Sequence, residues 1–386
     1  MTSLFRPGSL ARGFALSTAA LLAAPASAGT MSEHEDKGER LILVTVDGVR
    51  WQDLFRGADP ELAGDKAFTK KQDEIRQRFI DPADRPRALA PFLHSFAERG
   101  GVLIGDRDHG SCMKVANKYW FSYPGYSEML TGKAGWANSN SPVDNPDVTA
   151  LEWLNHQPGF AGKVRAFATW NVFPAILNAK RSGIPINAGF MPLQGSGADI
   201  AALNRVQDEL PRPWRDDERY DALTHAFALH SFKADRPRIL YVAYGEPDAH
   251  AHGGTYDEYL ISTERVDRFA RELWDAAQAD PKWAGKTTLI VTTDHGRAEP
   301  GPAGDGWRHH GSGLDEAGVE HPESRRLGSD QTWAAILGPA PVAATKPADG
   351  CATAGQIAAT IVRSLGFDWH SFDPEAAPPL VGLPTE

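Results

Sequence analysis

Cysteine is nearly missing from the 386-residue sequence, which holds only Cys112 and Cys351. The two are too few and too far apart to frame a thiolate zinc site, and in an oxidising compartment they could pair or stay free. Positive charge is also short. Forty lysines and arginines face 50 aspartates and glutamates, for a formal charge of -10. Such a surface repels phosphate polymers, which excludes nonspecific nucleic-acid binding as the main activity, and any phosphate chemistry then needs local positive charge such as a bound metal. Past the first residues no segment approaches the roughly 20 apolar residues that span a bilayer, so stable membrane insertion is excluded. Internal repeats and a Gly-x-Ser-x-Gly nucleophile elbow are absent too.

What is present begins with a compartment signal. Arg6 and Arg12 precede the apolar run Phe14 to Ala24, and Ala26-Ser27-Ala28 offers a small-residue cleavage site. This is the pattern of a cleaved secretory signal peptide over residues 1–28, which makes the product secreted or periplasmic. Its removal takes the charge to -12, because the leader holds two arginines and no acids. Residues 29–39 read as a polar linker. At 41% hydrophobic the chain can bury a large core, and residues 40–386 are expected to form one domain. The oligomeric state is left open.

Three apolar, β-branched runs read as buried strands of a parallel sheet, and each stops on residue types that bind metals. Leu41 to Val46 runs into Asp47-Gly48. Ile239 to Tyr244 runs into Gly245-Glu246-Pro247-Asp248, then His250 and His252. Thr287 to Thr293 runs into Asp294-His295-Gly296. Ligands bind at the carboxyl ends of strands in open α/β sheets, so the recurrence carries more weight than any single pair. Asp47 alone could begin a turn, and Asp294 alone could cap the next element. Between these strands the expected order is a helix from Ala88 to Arg99, a strand Val102 to Ile104, a helix Pro124 to Leu130, a helix from Val148, a strand Val164 to Thr169 and a helix Phe173 to Lys180. Residues 184–210 are poorly patterned. Helices at Asp217 to Lys233, Tyr256 to Ala279 and Gln356 to Leu365, with a strand Trp333 to Leu337, complete the βα alternation. Ser122, just before Tyr123-Pro124, is placed as N-cap or first-turn residue of its helix, where a nucleophile or anion is favoured by the dipole.

Four places therefore supply ligands: Asp47; Asp248 with His250 or His252; Asp294 with His295; and His309 or His310. Mixed aspartate and histidine sets suit zinc, and there are enough for two divalent ions, which can hold a phosphoryl group between them and activate a serine. The order Asp47, Ser122, Asp248-x-x-x-His252, Asp294-His295, His310-Gly311 resembles the alkaline phosphatase superfamily, most closely its type I phosphodiesterase/nucleotide pyrophosphatase branch. The resemblance spans nearly the whole mature chain. It implies a three-layer α/β/α sandwich with a mixed, largely parallel sheet, one metal on Asp248, His252 and His310, and the other on Asp47, Ser122, Asp294 and His295. It further implies an asparagine that holds a phosphoryl oxygen, at Asn140 or else Asn138.

This sequence departs from the branch at the nucleophile, with Ser122-Tyr123-Pro124 where threonine and Phe-Pro are usual. Sulfatases of the superfamily need an arginine where Tyr126 stands, and phosphoethanolamine transferases need spanning helices. The expected activity is metal-dependent cleavage of small phosphate esters, preferentially diesters or nucleotide pyrophosphates, through a phosphorylated Ser122. The alternatives are a monoesterase of the same fold, for which Lys114, Lys118 or Arg297 would supply extra charge if they were not simply solvated, and an exported binding protein without catalysis. Tyr123 is a candidate stacking platform for an aromatic leaving group.

Overall fold

The computed structural model describes residues 38–214, 217–300, 304–339, 343–344 and 350–382. The signal peptide, its cleavage site and nearly all of the linker lie outside the described residues. A seven-stranded sheet organises the rest. In chain order its strands are β1 (Arg40–Val46), β2 (Val102–Ile104), β3 (Val164–Ala168), β4 (Ile186–Ala188), β5 (Ile239–Tyr244), β6 (Thr287–Thr293) and β7 (Ala334–Leu337). Their order across the sheet is β2-β7-β6-β1-β5-β3-β4. β1, β3, β4, β5 and β6 pair in parallel, while β7 runs antiparallel to both β6 and β2. This is the mixed, mostly parallel α/β architecture that the strand signals predict.

Both faces of the sheet are covered, which is why the central strands are apolar without alternation. Leu41, Leu43, Tyr241, Ala243 and Ile290 face one core, against helices α1 (Ser122–Thr131) and α5 (Gln356–Ser364). Ile42, Val44, Leu240, Val242, Leu289 and Val291 face the other, against α2 (Asp221–Asp235) and α4 (Tyr256–Ala279). A short helix, α3 (Glu246–Gly253), lies between β5 and α4.

Register then fixes the site. Val46 of β1 pairs with Tyr244 of β5 on one side and with Thr293 of β6 on the other, so three parallel strands end level. Asp47, Gly245 and Asp294 are the next residues of each. A three-stranded sheet flanks this layer, with Met113–Lys114 between Ala352–Thr353 and Gln331–Thr332. Cys112 and Cys351 stand just before the register pair Met113↔Ala352, and they form a disulfide with Cα atoms 4.8 Å apart.

Some expected elements differ. The helix expected over Ala88 to Arg99 is broken into Arg85–Leu89, Pro91–His94 and a 3-10 turn at Ala97–Arg99, because Pro91 has no N–H to continue the first ladder. Phe173 to Lys180 is split at Asn178, which is left-handed at φ 42°. The poorly patterned stretch contains β4 and a helix, Ala198–Glu209.

Candidate metal and nucleophile site

Ser122 is the first residue of α1, with Phe121 as N-cap in extended backbone. The helix is pressed onto the strand ends at Gly125, where a Cβ would stand 2.3 Å from the Asp294 carbonyl oxygen, so only glycine allows this approach. The contact sets the hydroxyl beside the acids. Ser122 Oγ lies 3.5 Å from Asp47 Oδ1 and 3.4 Å from His295 Nε2, and the residue is buried.

Around it two groups of ligands share one wall. Asp47, Asp294 and His295 form the first, with His295 Nε2 3.2 Å from Asp47 Oδ1 and 3.4 Å from Asp294 Oδ2. The imidazole is oriented from behind, since its Nδ1 lies 2.8 Å from the Gly296 carbonyl oxygen, which leaves Nε2 to face the carboxylates. Asp248, His252 and His310 form the second. His252 Nε2 is 3.2 Å from Asp248 Oδ2 and 2.9 Å from His310 Nε2, and His310 Nε2 is 3.6 Å from Asp248 Oδ1. His295 also reaches Asp248, at 3.8 Å, so the two groups are contiguous. All seven residues expected as ligands are therefore brought together. His309 faces elsewhere and holds Ala298 through its backbone carbonyl, and His250 packs against Trp214 and Thr255.

The electrostatics are those of crowded acids without enough cations. Burial and then the Asp47 carboxylate push Asp294 well above the usual carboxylate range. Burial works against protonation of His295, but Asp294 and Asp47 outweigh it and raise the imidazole to about 9. Burial and then the neighbouring His295 hold His310 well below its ordinary value. Asp294 Oδ2 and His310 Nδ1 are buried without a hydrogen-bond partner among the described residues. Hard carboxylate and imidazole donors clustered this way fit divalent zinc.

Two side chains that the sequence did not place in the site belong to it. Arg297 is not solvated: it is fully buried, and it pairs with Asp248 Oδ1 through Nη2 while Nε donates to the Gly48 carbonyl at 3.0 Å. Burial opposes ionisation of Asp248, but Arg297, then His252 and His310, outweigh it and hold the carboxyl well below the usual range. Gly48 makes room for this pair at φ +60°, with its Cβ direction 2.6 Å from Asp248 Oδ1. Tyr126 is fully buried and its hydroxyl donates to Asp47 Oδ2 at 3.1 Å. A tyrosine one turn past the nucleophile was the available signal. Asn140 accepts from the Tyr123 N–H at 2.9 Å, one residue from Ser122, whereas Asn138 donates to the Glu316 carbonyl. Tyr123 is no stacking platform. It is wholly buried, donates to the Val143 carbonyl and packs edge-on against Trp136.

Comparison with known proteins agrees with this arrangement. Residues 138–354 match the family model of type I phosphodiesterase / nucleotide pyrophosphatase. A curated relative, 2,3-bisphosphoglycerate-independent phosphoglycerate mutase of Gracilaria tenuistipitata var. liui, is 28% identical over 72 residues, 19% of this chain and only 13% of that protein. Among solved structures, the chain is similar to the lipoteichoic acid synthase LtaP from Listeria monocytogenes (TM-score 0.49, 10% identity, 86% of this chain and 72% of that one). It is also similar to the C-terminal periplasmic domain of EcEptC from Escherichia coli in complex with Zn (0.49, 9%, 88% and 85%). A third is a protein in the alkaline phosphatase superfamily from Vibrio parahaemolyticus (0.46, 14%, 86% and 67%). No described helix is long and apolar enough to cross a membrane.

Proposed function

Since the chain belongs to the type I phosphodiesterase / nucleotide pyrophosphatase family, and is a phosphoester hydrolase of the alkaline phosphatase superfamily, we propose that it is an exported, zinc-dependent phosphodiesterase with Ser122 as nucleophile. The observation that carries this reading is the position of Ser122 Oγ, 3.5 Å from Asp47 and 3.4 Å from His295, at the start of a helix. Asp47, Ser122, Asp294 and His295 would hold one divalent ion and Asp248, His252 and His310 the other. When bound, the ions supply Lewis-acid charge for a phosphoryl group and lower the pKa of the attacking hydroxyl. The chain's own residues do the rest. Ser122 attacks phosphorus in line and the ester alcohol leaves, and water then cleaves the phosphoserine. The first N–H groups of α1 point toward the phosphoryl oxygens, and Asn140, bound to the Tyr123 amide, is their side-chain partner.

A diester is favoured over a monoester because the buried candidate for extra positive charge, Arg297, is committed to Asp248, and Lys114 and Lys118 are exposed. Ser122→Ala should cut turnover of a phosphate diester by about three orders of magnitude or more while zinc content stays near that of the parent. Full activity in that variant, measured on zinc-loaded protein, sinks the nucleophile assignment. Two zinc ions bound with no turnover on any phosphate ester would support a binding protein instead. A strong preference for the matching monoester would replace the diesterase reading by a phosphatase.

A further inference from the structure

The carboxyl ends of β3 and β5 carry a second constellation that the hydrolysis described above does not use. Glu218 lies in the connection that precedes α2 and makes antiparallel backbone bridges on both sides, to Trp170 just past β3 and to Trp214. Residues directly opposite in antiparallel pairs project to the same face, so Trp170, Glu218 and Trp214 form a row with a carboxyl between two indoles. The following residue, Arg219, points the other way, as strand alternation requires. It is fully buried and donates to Asn187 Oδ1 at 2.7 Å and Thr224 Oγ1 at 2.9 Å.

The row borders the ligand cluster. Glu218 Oε2 is 3.8 Å from the point where a Cβ on Gly245 would stand, three residues before Asp248. The Trp214 indole packs edge-on against His250, which lies on α3 between Asp248 and His252, with ring centroids 5.2 Å apart. Trp170 packs on Phe173, and Phe173 packs on Tyr126, the donor to Asp47. Both indoles are partly exposed, whereas Glu218 Oε2 is closed off from solvent and has no hydrogen-bond partner among the described residues. Burial, then the charges of Asp248 and Asp47, hold this carboxyl well above the usual range. A buried acceptor left unpaired is costly, and an incoming positive charge relieves that cost.

Two indoles flanking one carboxyl are a poor metal site, because indoles offer no lone pair to a metal. They suit an organic cation, which takes its charge balance from the carboxylate and its contact from the aromatic faces. We infer that the Trp170, Glu218, Trp214 row is the subsite for one alcohol substituent of the phosphodiester and that it selects a quaternary ammonium alcohol of the choline type. The assignment rests on the reading of the chain as a phosphodiesterase acting through Ser122.

The test uses two diesters that release the same nitrophenolate, p-nitrophenyl phosphorylcholine and its neutral isostere in which carbon replaces the choline nitrogen. On the zinc-loaded full chain, kcat/KM for the cationic diester is expected to exceed that for the isostere by about tenfold or more. Glu218→Gln should bring that ratio close to one without loss of zinc. Tetramethylammonium should inhibit the unaltered enzyme competitively, a measurement that needs no folded variant. Equal rates on the two diesters, no inhibition by tetramethylammonium, or a Glu218→Gln variant that loses zinc or keeps the ratio would overturn the subsite. In each of those cases hydrolysis of the neutral diester leaves the phosphodiesterase reading standing. If neither diester is cleaved, that reading fails, and the subsite falls with it.

Discussion

Tyr126 occupies the position at which a sulfatase would need arginine, and at first it serves only to exclude that chemistry. In the folded chain it has a positive role, because its hydroxyl fixes Asp47 Oδ2 and leaves Oδ1 toward Ser122 and His295. Partners of this kind orient a metal ligand without touching the metal. Tyr126→Phe should therefore weaken zinc binding by about 10- to 100-fold with little change in fold, as measured by competition with a chelator. Unchanged zinc affinity would show that Asp47 needs no such support. Arg297 illustrates why the sequence could not assign it. Three residues past Asp294, it reads as one more arginine in a loop. Its burial follows from Gly48 opening a space 249 positions earlier in the chain, and no local pattern reports that.

At the scale of elements, the strands were legible because both faces of the sheet are buried, and a continuous β-branched run of six or seven residues is too short for a helix and too apolar for a loop. β1, β5 and β6 lie where those runs lie, and the ligands follow at their ends. What could not be read was tertiary support. Asp221, at the start of α2, accepts from the Gly245 and Glu246 N–H groups and so secures the N-terminus of α3, on which Asp248 and His252 ride. The helix Ala198–Glu209 is equally silent in the sequence, its 12 residues carrying only one buried side chain, Gln207, and so giving no apolar stripe to detect. Asp267 performs a similar service between α4 and the segment Pro91–His94, accepting from the Phe92 and Leu93 N–H groups at 3.0 and 2.9 Å. Burial, opposed by those two N–H groups, raises its carboxyl from 3.8 to about 6. The folded state therefore binds more protons than the unfolded one between these values, so the stability this group contributes is full below about pH 4 and is lost as pH rises through about 6. Relative to Asp267→Asn, the parent should lose about 3 kcal/mol of unfolding free energy across that window. Urea titrations of both proteins from about pH 4 to 7 measure the difference, and a flat difference profile would show that Asp267 does not govern it.

Over the whole molecule, one covalent link closes the longest loop. Cys112 and Cys351 are 239 positions apart, and their bond joins the segment before the nucleophile helix to the segment before α5. A constraint on so long a loop removes much unfolded-state entropy, an effect of up to about 5 kcal/mol. Paired replacement by serine should lower the urea midpoint clearly while the folded protein keeps its diester turnover, because neither cysteine touches the ligand cluster. Loss of turnover before any loss of structure would instead assign the bridge to the site. The level ending of β1, β5 and β6 has a different kind of consequence. Asp47 and Asp294 owe their spacing to hydrogen-bond register inside a covered sheet, while the long excursions at residues 51–100 and 184–220 leave and return without carrying any of the seven ligands. Reaction chemistry and substrate choice are thus written in separable parts of the chain. Evolution, or a protein engineer, could exchange those excursions to reach new esters and inherit the hydrolytic centre intact.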